Sequence, residues 1–411
     1  MNEVLSEIDN VKNNVGEKLF GVAIVKKDVV QKGWKSDVVL TYIEGNTVLI
    51  KDEKYTDLKW GSLVNLKCIT GLPEQYNDFD YQKYLFMNGV EYICDDFEYE
   101  TIGFEQSILS RLAVFRNKME SIVNNIIPSP QAALANGLLF GGDDRLSDEL
   151  QNNFSTTGMT HIVAVSGYNV SVIVAVVMGI VIFMGVNRRH SVIFAILAVI
   201  FFVALIGFPS SGVRAAIMGS MILIAASYGR VSHAYGAIFF TGAIMIAFNP
   251  LLLRYDVGFQ LSFLATLGIV AVYPILEKYF VSKNKAFGIV DILLLTVSAQ
   301  ILVLPIIAYN FHTISVVSLL ANILILPIIP VTMLLVFMTV VSSFVFYPIA
   351  LMFGWMAYFL LSYEIFIIDI LSKISWSSIA VEDVNIMWFI IYYVIVVSIV
   401  YFVNKKILYE T

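Results

Sequence analysis

The feature that most constrains this chain is an uncharged run from Ile162 to Met184, which follows directly on a polar segment. Because an α-helix rises about 1.5 Å per residue, a run of this length covers the roughly 30 Å hydrocarbon core of a bilayer. Its first part nevertheless carries Ser166, Tyr168 and Asn169. A polar side chain facing lipid is costly, so these groups should face other helices or a hydrated cavity. The run is therefore predicted to be the first spanning helix.

Composition extends this prediction to most of the chain. Of 411 residues, 58% are hydrophobic and only 14% are charged, which lies outside the range of ordinary soluble domains. We therefore expect a mainly α-helical multi-pass membrane protein with about nine spanning helices. The eight further apolar segments are residues 191–207, 212–228, 234–248, 257–275, 289–308, 315–345, 348–372 and 386–403.

Charge divides the chain into a water-soluble part and a membrane part. Residues 1–160 hold 24 acidic and 15 basic side chains, whereas residues 161–411 hold 8 and 11. An acidic soluble domain is a poor stand-alone binder of nucleic acid, because non-specific binding depends on basic groups that neutralise phosphates. The domains are predicted as residues 1–100 (OB-like), 101–160 (amphipathic helices and a connector) and 161–411 (the membrane channel domain).

The soluble part is predicted to be a small β-barrel. Short, Val- and Ile-rich segments at 18–28, 35–43, 46–50, 61–69 and 90–94 indicate strands, and residues 80–87 indicate a short helix. Such a pattern favours an OB-type barrel, with another small β domain as the alternative. Cys68 and Cys94 are expected to be bridged if this domain lies outside the cell, or to be buried thiols if it lies inside.

Residues 101–127 have apolar side chains at helical spacing with basic residues between them, which predicts an amphipathic helix on the bilayer or on the membrane domain. The 315–345 segment is too long for a simple crossing and contains Pro327 and Pro330, so it is expected to be kinked or broken.

The short connections predict the orientation. Nine spans can place every basic loop in the cytoplasm: Arg188 with Arg189, Arg230, Lys278 with Lys283 and Lys285, and Lys405 with Lys406. The N-terminal domain then lies outside the cytoplasmic membrane and the C-terminus inside. No signal peptide is visible before this domain, so its export would need an upstream segment or the first helix. The opposite orientation would leave all the basic loops outside.

Four polar clusters mark the spanning segments as candidates for a shared passage. If Asp256 and Gln260 lie on one helix face, they could meet Arg214 across a helix interface, where a basic group would attract a phosphate-bearing substrate. A structural ion pair explains the same residues equally well. The clusters are His161 with Ser166 and Asn169; Ser210, Ser211 and Gly212 with Arg214; Asp256 with Gln260 and Ser262; and Gln300 with Asn310, His312 and Asn322.

Catalytic and cofactor motifs are not found. Ser166 is not in a G-x-S-x-G elbow, and the four histidines lack metal-binding spacing. There is no nucleotide-binding G-x-x-x-x-G-K-[ST] motif either. We therefore expect no enzymatic activity, no metal and no cofactor.

Four ordered stretches resemble the ComEC competence-protein family: HIVAVSGYNVSVI, SSGVRAAIM, NPLLLRYDVGFQLSFLATLGI and SAQILVLPIIAYNFHTISVVSLLANILILPIIP. DFDYQKYLFMNGV is similar to the end of that family's OB-like domain. Members often carry earlier spanning helices and a C-terminal metallo-β-lactamase-like nuclease domain, and neither is present here. By position, the motif residues carried over are His161, Ser166, Gly167, Asn169, Arg214, Asp256, Gln260, Ser262, Gln300, Pro305 and Asn322.

The resemblance implies a channel that passes single-stranded DNA into the cytoplasm during natural transformation. Expected partners are single-stranded DNA, the lipid bilayer, and other competence proteins that include a separate ATPase and nuclease; self-association is left open. Two alternatives remain. One is a transporter or channel for another solute. The other is an intramembrane enzyme acting on lipid or cell-wall precursors, which would need His161 close to Ser166 or Asp256.

Overall fold

The computed structural model describes residues 16–27, 29–32, 35–43, 45–52, 56–72, 81–142, 145–164, 166–228, 234–280, 288–381 and 386–409. Within these ranges the chain forms two compact units. The first contains residues up to 121 together with residues 201–209 and 245–256, and the second contains residues 122–200, 210–244 and those from 257 onward. Arg230, Lys283 and Lys285, which entered the orientation argument, lie outside the described residues.

The first unit is built on a closed five-stranded barrel, which confirms the OB-like prediction. Neighbouring strands run in the order β1-β5-β6-β4-β3, and pairing of β3 with β1 closes the ring. All these pairs are antiparallel except β4 with β6. The strands are β1 (Lys18–Val25), β2 (Val30–Lys32), β3 (Lys35–Tyr42), β4 (Thr47–Asp52), β5 (Ser62–Gly71) and β6 (Tyr92–Phe104).

Alternation along the strands produces the barrel core. On β3, Val38, Leu40 and Tyr42 are buried at every second position, as expected for a strand with one face inward. Cys68 on β5 and Cys94 on β6 are joined by a disulfide, with their Cα atoms 5.5 Å apart. Of the two states that the sequence left open, the structure has the bridged one.

The helices are α1 (Tyr81–Met87), α2 (Ile108–Ile126), α3 (Gln131–Phe140), α4 (Asp148–Thr156), α5 (Thr160–Val163), α6 (Gly167–Phe183), α7 (Arg188–Leu205), α8 (Ser210–Ser227), α9 (Ala234–Phe248), α10 (Leu252–Tyr255), α11 (Val257–Phe280), α12 (Ile289–Phe311), α13 (Ser318–Ile325), α14 (Ile329–Ser343), α15 (Tyr347–Ser372) and α16 (Ile386–Tyr409). Two short strands, β7 (Thr313–Ser315) and β8 (Ser378–Ala380), pair antiparallel.

Within the described residues, four helices are long and apolar enough to cross a membrane: α8, α11, α12 and α15. A fifth crossing results if α13 and α14 count as one broken span, with a bend of 50° between them. The predicted break at Pro327 and Pro330 is thus confirmed, whereas the count of nine is not. The remaining apolar helices have shorter apolar stretches among the described residues, such as the 15 residues of α9 and Met387–Val403 within α16.

The predicted first spanning helix is interrupted. Residues 160–163 form the separate short helix α5, after which Ala164 and Ser166 have extended backbones and α6 begins at Gly167. The polar residues therefore lie at the start of α6, rather than along a continuous helix. The amphipathic helix also begins later than expected, at Ile108, because β6 continues to Phe104.

Helix α2 places several apolar side chains outward. Ile108 is 80% exposed, and Leu109 and Phe115 are also exposed, while Ser110 and Arg116 are buried. The Arg116 Nε lies 3.3 Å from the Glu120 carboxylate one turn later. An apolar outer surface of this kind is typical of a helix that lies on a bilayer.

Candidate functional site

Several of the predicted residues meet where α6 begins. The Ser166 hydroxyl donates to the Asn169 side-chain oxygen at 3.2 Å, and the Asn169 amide donates to the Leu138 carbonyl at 3.2 Å. Leu138 belongs to the last turn of α3, whose carbonyls have no partner within the helix. Asn169 is only 1% exposed, so this bond satisfies two buried groups at once. Asn169 therefore ties the start of α6 to the end of α3.

Tyr168 connects the same position to the broken helix. Its hydroxyl donates to the Leu326 carbonyl at 3.0 Å. That carbonyl is available because Pro330, four residues later, has no backbone N–H to donate to it. Gly167 brings α6 close to α8, since a Cβ there would lie 3.8 Å from the Ala215 Cβ.

His161 lies on the short helix before this junction, with Nδ1 3.0 Å from the Gly158 carbonyl. Its ring is exposed to solvent, yet the surrounding protein removes enough hydration to lower the imidazole pKa, an effect that the bond to Gly158 partly offsets. The lowered pKa favours a neutral imidazole.

Arg214 on α8 is 3% exposed and contacts α11. Its Nη1 donates a long bond of 3.5 Å to the Gly258 carbonyl, and its guanidinium carbon lies 5.5 Å from the centre of the Phe263 ring. The prediction that Asp256 and Gln260 share a helix face is wrong, because Asp256 has an extended backbone and precedes α11. Asp256 also belongs to the first unit, whereas Arg214 and Gln260 belong to the second.

The remaining candidates lie along α11, α12 and α13. Gln300 on α12 donates to the Ser318 hydroxyl at 2.8 Å, and Asn322 lies one turn after Ser318 with a buried Oδ1 that has no partner among the described residues. Gly158 packs against Ser315 and Ser318, so the segment just before His161 contacts the start of α13. Pro305 lies inside α12, and the Ser262 carbonyl accepts from Thr266 at 2.8 Å.

Two groups of buried polar residues were not predicted from the sequence. Asn136, on the almost wholly buried α3, donates to Asn124 at 2.9 Å. Glu364 on α15 is fully buried and accepts from Thr332 on α14 at 2.6 Å. An acidic residue inside the apolar 348–372 segment was the available signal for Glu364, since ionisable side chains within spans are rare. Asn136 gave no such signal, because the ten residues of α3 are too few to predict a span.

The first unit contains a second candidate surface. A cavity of about 390 Å³ is lined by Lys26, Lys27 and Trp60 from the barrel and by Gly207 and Phe208 from the turn between α7 and α8. Lys27 donates to the Asn88 carbonyl at 2.6 Å. Two ammonium groups beside an indole ring can offer both a phosphate contact and a stacking surface.

The described hydrogen bonds do not form a nucleophile and base pair. The His161 ring bonds to Gly158, and the Ser166 hydroxyl bonds to Asn169. Within the described ranges no group of three or more His, Cys, Asp or Glu side chains is arranged to hold a metal ion.

An OB-like barrel joined to a bundle of apolar helices, with polar side chains gathered inside the bundle, defines a multi-pass membrane protein with an internal polar site. The sequence profile of the Competence protein family matches residues 138–406, more than half of the chain. The chain belongs to this family.

ComE operon protein 3 of Bacillus subtilis (strain 168) is 25% identical to this chain over 256 residues. The aligned part is 61% of this chain and 32% of that protein, so the match spans about a third of the relative's length. No solved structure matches the chain.

Proposed function

We propose that this chain forms a passage for single-stranded DNA across the cytoplasmic membrane during natural transformation. The observation that carries the proposal is the contact of polar groups from α5, α6, α12 and α13 within the helical unit. His161, Tyr168, Gln300 and Ser318 are linked there through the contacts of Gly158 and Leu326. Membership of the Competence protein family supports the choice of DNA as the solute.

The chemistry of the two candidate surfaces suits a nucleic-acid strand. Single-stranded DNA needs cationic groups for its phosphates and aromatic faces for its bases. Arg214 beside Phe263 supplies both in the helical unit, and Lys26 and Lys27 beside Trp60 supply both in the barrel unit. Neutral amides such as Asn169 and Gln300 add polar lining without binding a phosphate so tightly that it cannot leave.

We further propose that the N-terminal barrel lies outside the cell and the C-terminus in the cytoplasm. In the first unit the barrel contacts two turns of the helical chain: Trp60 meets Gly207, and Asn249 donates to the Met87 carbonyl at 3.2 Å. These contacts support a position of the turns near 207 and 249 on the barrel's side of the membrane, as the nine-span topology requires. The Cys68–Cys94 disulfide favours the oxidising, external side.

The pairing of β7 with β8 supports the rest of this topology. Both strands must lie on one side, so the segment from Ser318 to Ser372 has to cross an even number of times. One crossing by the broken pair α13–α14 and one by α15 meet this condition. Reporter fusions after Val186, Tyr228, Asn249 and Val381 test the count: the first two should report a cytoplasmic position and the last two an external one. A reporter that gives the opposite side of the membrane at any of these four positions would contradict the nine-span topology.

The function itself is tested by deleting the gene and measuring transformants and uptake of labelled DNA. Complementation with wild type should restore both, and the uptake should be selective for DNA over unrelated solutes. Normal uptake in the deletion strain would overturn the proposal and would favour a channel for another solute.

The partners follow from the same proposal. A passage with no nucleotide-binding motif needs an external energy source, so we propose that a separate ATPase and a separate nuclease act with this chain. Crosslinking in competent cells, followed by mass spectrometry, would identify them and would also detect self-association. Recovery of the chain alone, under conditions in which DNA is being taken up, would contradict these partners.

A further inference from the structure

The carboxyl group of Glu364 is buried among uncharged helices. Its side chain is 0% exposed and lies on α15, eight residues, or about 12 Å, before the end of that candidate span. One oxygen accepts from the Thr332 hydroxyl at 2.6 Å, and the other, Oε2, has no hydrogen-bond partner among the described residues. A buried group left half satisfied in this way is expensive, above all if it carries a charge.

Among the described residues, the helices that pack most extensively against α15 supply no counter-ion to this carboxyl. Helices α3, α13 and α14 pack against α15 and contain no Asp, Glu, Lys, Arg or His. Helix α4 also packs there and carries only the acidic Asp148 and Glu149, which would disfavour a second anion. On α15 itself the other titratable groups nearby are Tyr358, Tyr363 and Asp369, and Asp369 pairs with Lys373 at 2.7 Å.

The position of Thr332 gives the carboxyl a structural consequence. Thr332 lies in the first turn of α14, directly after the 50° bend that separates α13 from α14. Its hydroxyl is 3.3 Å from the Ile328 carbonyl as well as 2.6 Å from Glu364, and its backbone N–H donates to Ile328 at 3.0 Å. A hydroxyl has one hydrogen, so it can donate fully to only one of these two oxygens.

We propose that Glu364 is a proton-binding site that controls the hydrogen bonds at the break between α13 and α14. When a solvent proton binds the carboxylate, an O–H bond forms and the charge is neutralised. The acid then donates to Thr332, whose hydroxyl donates to the Ile328 carbonyl. When the proton leaves, the Thr332 hydroxyl turns to the carboxylate and Ile328 keeps only the backbone bond.

Neighbouring contacts indicate that the break is a distinct structural element. The Tyr363 hydroxyl, from the residue before Glu364, donates to the Leu324 carbonyl at 3.5 Å, and Tyr168 donates to Leu326 at 3.0 Å. Side chains of α6 and α15 thus take the place of missing helical bonds, and one of them adjoins the carboxyl. Protonation of Glu364 would therefore change the hydrogen bonds next to the polar site described above. This effect does not depend on which solute passes through that site.

The test is infrared difference spectroscopy of the full chain in lipid bilayers during a pH titration. Wild type should show the band of a protonated buried carboxylic acid that disappears as the pH rises. Glu364→Gln should lose this band, Thr332→Val should shift its frequency, and Asp369→Asn, on the same helix, should leave it unchanged. Persistence of the band in Glu364→Gln would overturn the proposal, as would a carboxyl that stays protonated or ionised at every pH.

A second measurement on wild type covers the case in which the variants fail to fold. A hydrophobic carbodiimide adds to protonated carboxyl groups, so it should modify Glu364 in membranes at low pH and lose this reaction as the pH rises. Mass spectrometry locates the adduct. Absence of any adduct at Glu364 in the folded protein, with normal modification after denaturation, would overturn the proposal.

Discussion

The guanidinium of Arg214 on α8 lies 5.5 Å from the ring centre of Phe263 on α11. This contact, together with the long bond from Nη1 to the Gly258 carbonyl, fixes a cation inside the helical unit at the start of a candidate span. A cation over an aromatic face contributes about 0.5–2 kcal/mol, more when it is desolvated. The guanidinium therefore lies beside an aromatic ring within the helical unit.

Replacement of Arg214 should therefore reduce DNA uptake without removing the protein from the membrane. We expect Arg214→Ala to lower uptake by about tenfold or more, since loss of roughly 1.4 kcal/mol of phosphate binding has that effect. Arg214→Lys should retain part of the activity, because a lysine keeps the charge but not the planar group. The measurement is uptake of labelled DNA, normalised to the protein level in membranes.

Arg189→Ala, on the exposed first turn of α7, is the matched control and should take up DNA normally. Equal losses in both variants would show that total positive charge, rather than the Arg214 site, is responsible. Normal uptake by well-expressed Arg214→Ala would remove this residue from the path.

The barrel cavity should bind single-stranded DNA weakly through Trp60 and its two lysines. Trp60→Ala should weaken binding by about 1–3 kcal/mol, the usual contribution of one stacked base. Replacing Lys26 and Lys27 with alanine should instead make binding less dependent on salt, since fewer counterions are released. Fluorescence anisotropy with the full chain in nanodiscs measures both effects. Trp376→Ala, exposed after α15, is the control and should bind as wild type does.

Removal of the disulfide should destabilise the barrel. Cys68→Ser or Cys94→Ser opens a loop of 26 residues, and a bridge that closes such a loop contributes about 2–4 kcal/mol. Thermal unfolding of each variant should occur at a lower temperature than for wild type. In intact cells a membrane-impermeant maleimide should label wild type only after reduction. Labelling without reduction would contradict the bridge, and no labelling after reduction would contradict the external position of the barrel.

Acidification should destabilise the surroundings of His161. Its ordinary pKa of 6.5 is lowered in the folded protein, so the unfolded state binds more protons below that value. The free energy of unfolding should therefore decrease as the pH falls from about 6.5 through the lowered pKa. His161→Gln should show a smaller decrease between about pH 7 and pH 5. An identical pH dependence in wild type and His161→Gln would contradict the prediction.

Close packing of α11 against α12 should depend on Gly268. A Cβ at this position would overlap the Ser298 carbonyl oxygen, which is backbone and cannot rotate away. Gly268→Ala should therefore separate the helices and cost about 1–3 kcal/mol of stability. Gly219→Ala on α8 is the control, because nothing lies within 4 Å of a Cβ there. Unfolding in detergent measures the difference; equal stability of the two variants would contradict this account of the packing.

Local patterns predicted the elements of this fold well. Alternating Val and Ile residues predicted the five barrel strands, and Pro327 with Pro330 predicted the break in the 315–345 segment. Both signals act within a few residues, because strand alternation and the missing proline N–H are local properties. The interrupted first helix was missed, since an uncharged run does not reveal that Ser166 is extended.

The candidate site was predicted in part. The sequence identified His161, Asn169, Arg214 and Gln300 as polar residues that lipid would not tolerate, but it paired Arg214 with Asp256 and Gln260 by helical spacing. The structure places Asp256 before α11 rather than within it, and Phe263 lies beside Arg214. Spacing along a helix predicts a shared face only if both residues belong to that helix.

The sequence by itself determined that this chain has a β-barrel part and a part rich in apolar helices, because strand alternation and uncharged runs are properties of the residues. It also identified which side chains had to be shielded from lipid. Only the tertiary structure decided the partners of those side chains, such as Leu138 for Asn169, Ser318 for Gln300 and Thr332 for Glu364. A buried polar group is satisfied by whichever element packs against it, and that element can be far away in the chain.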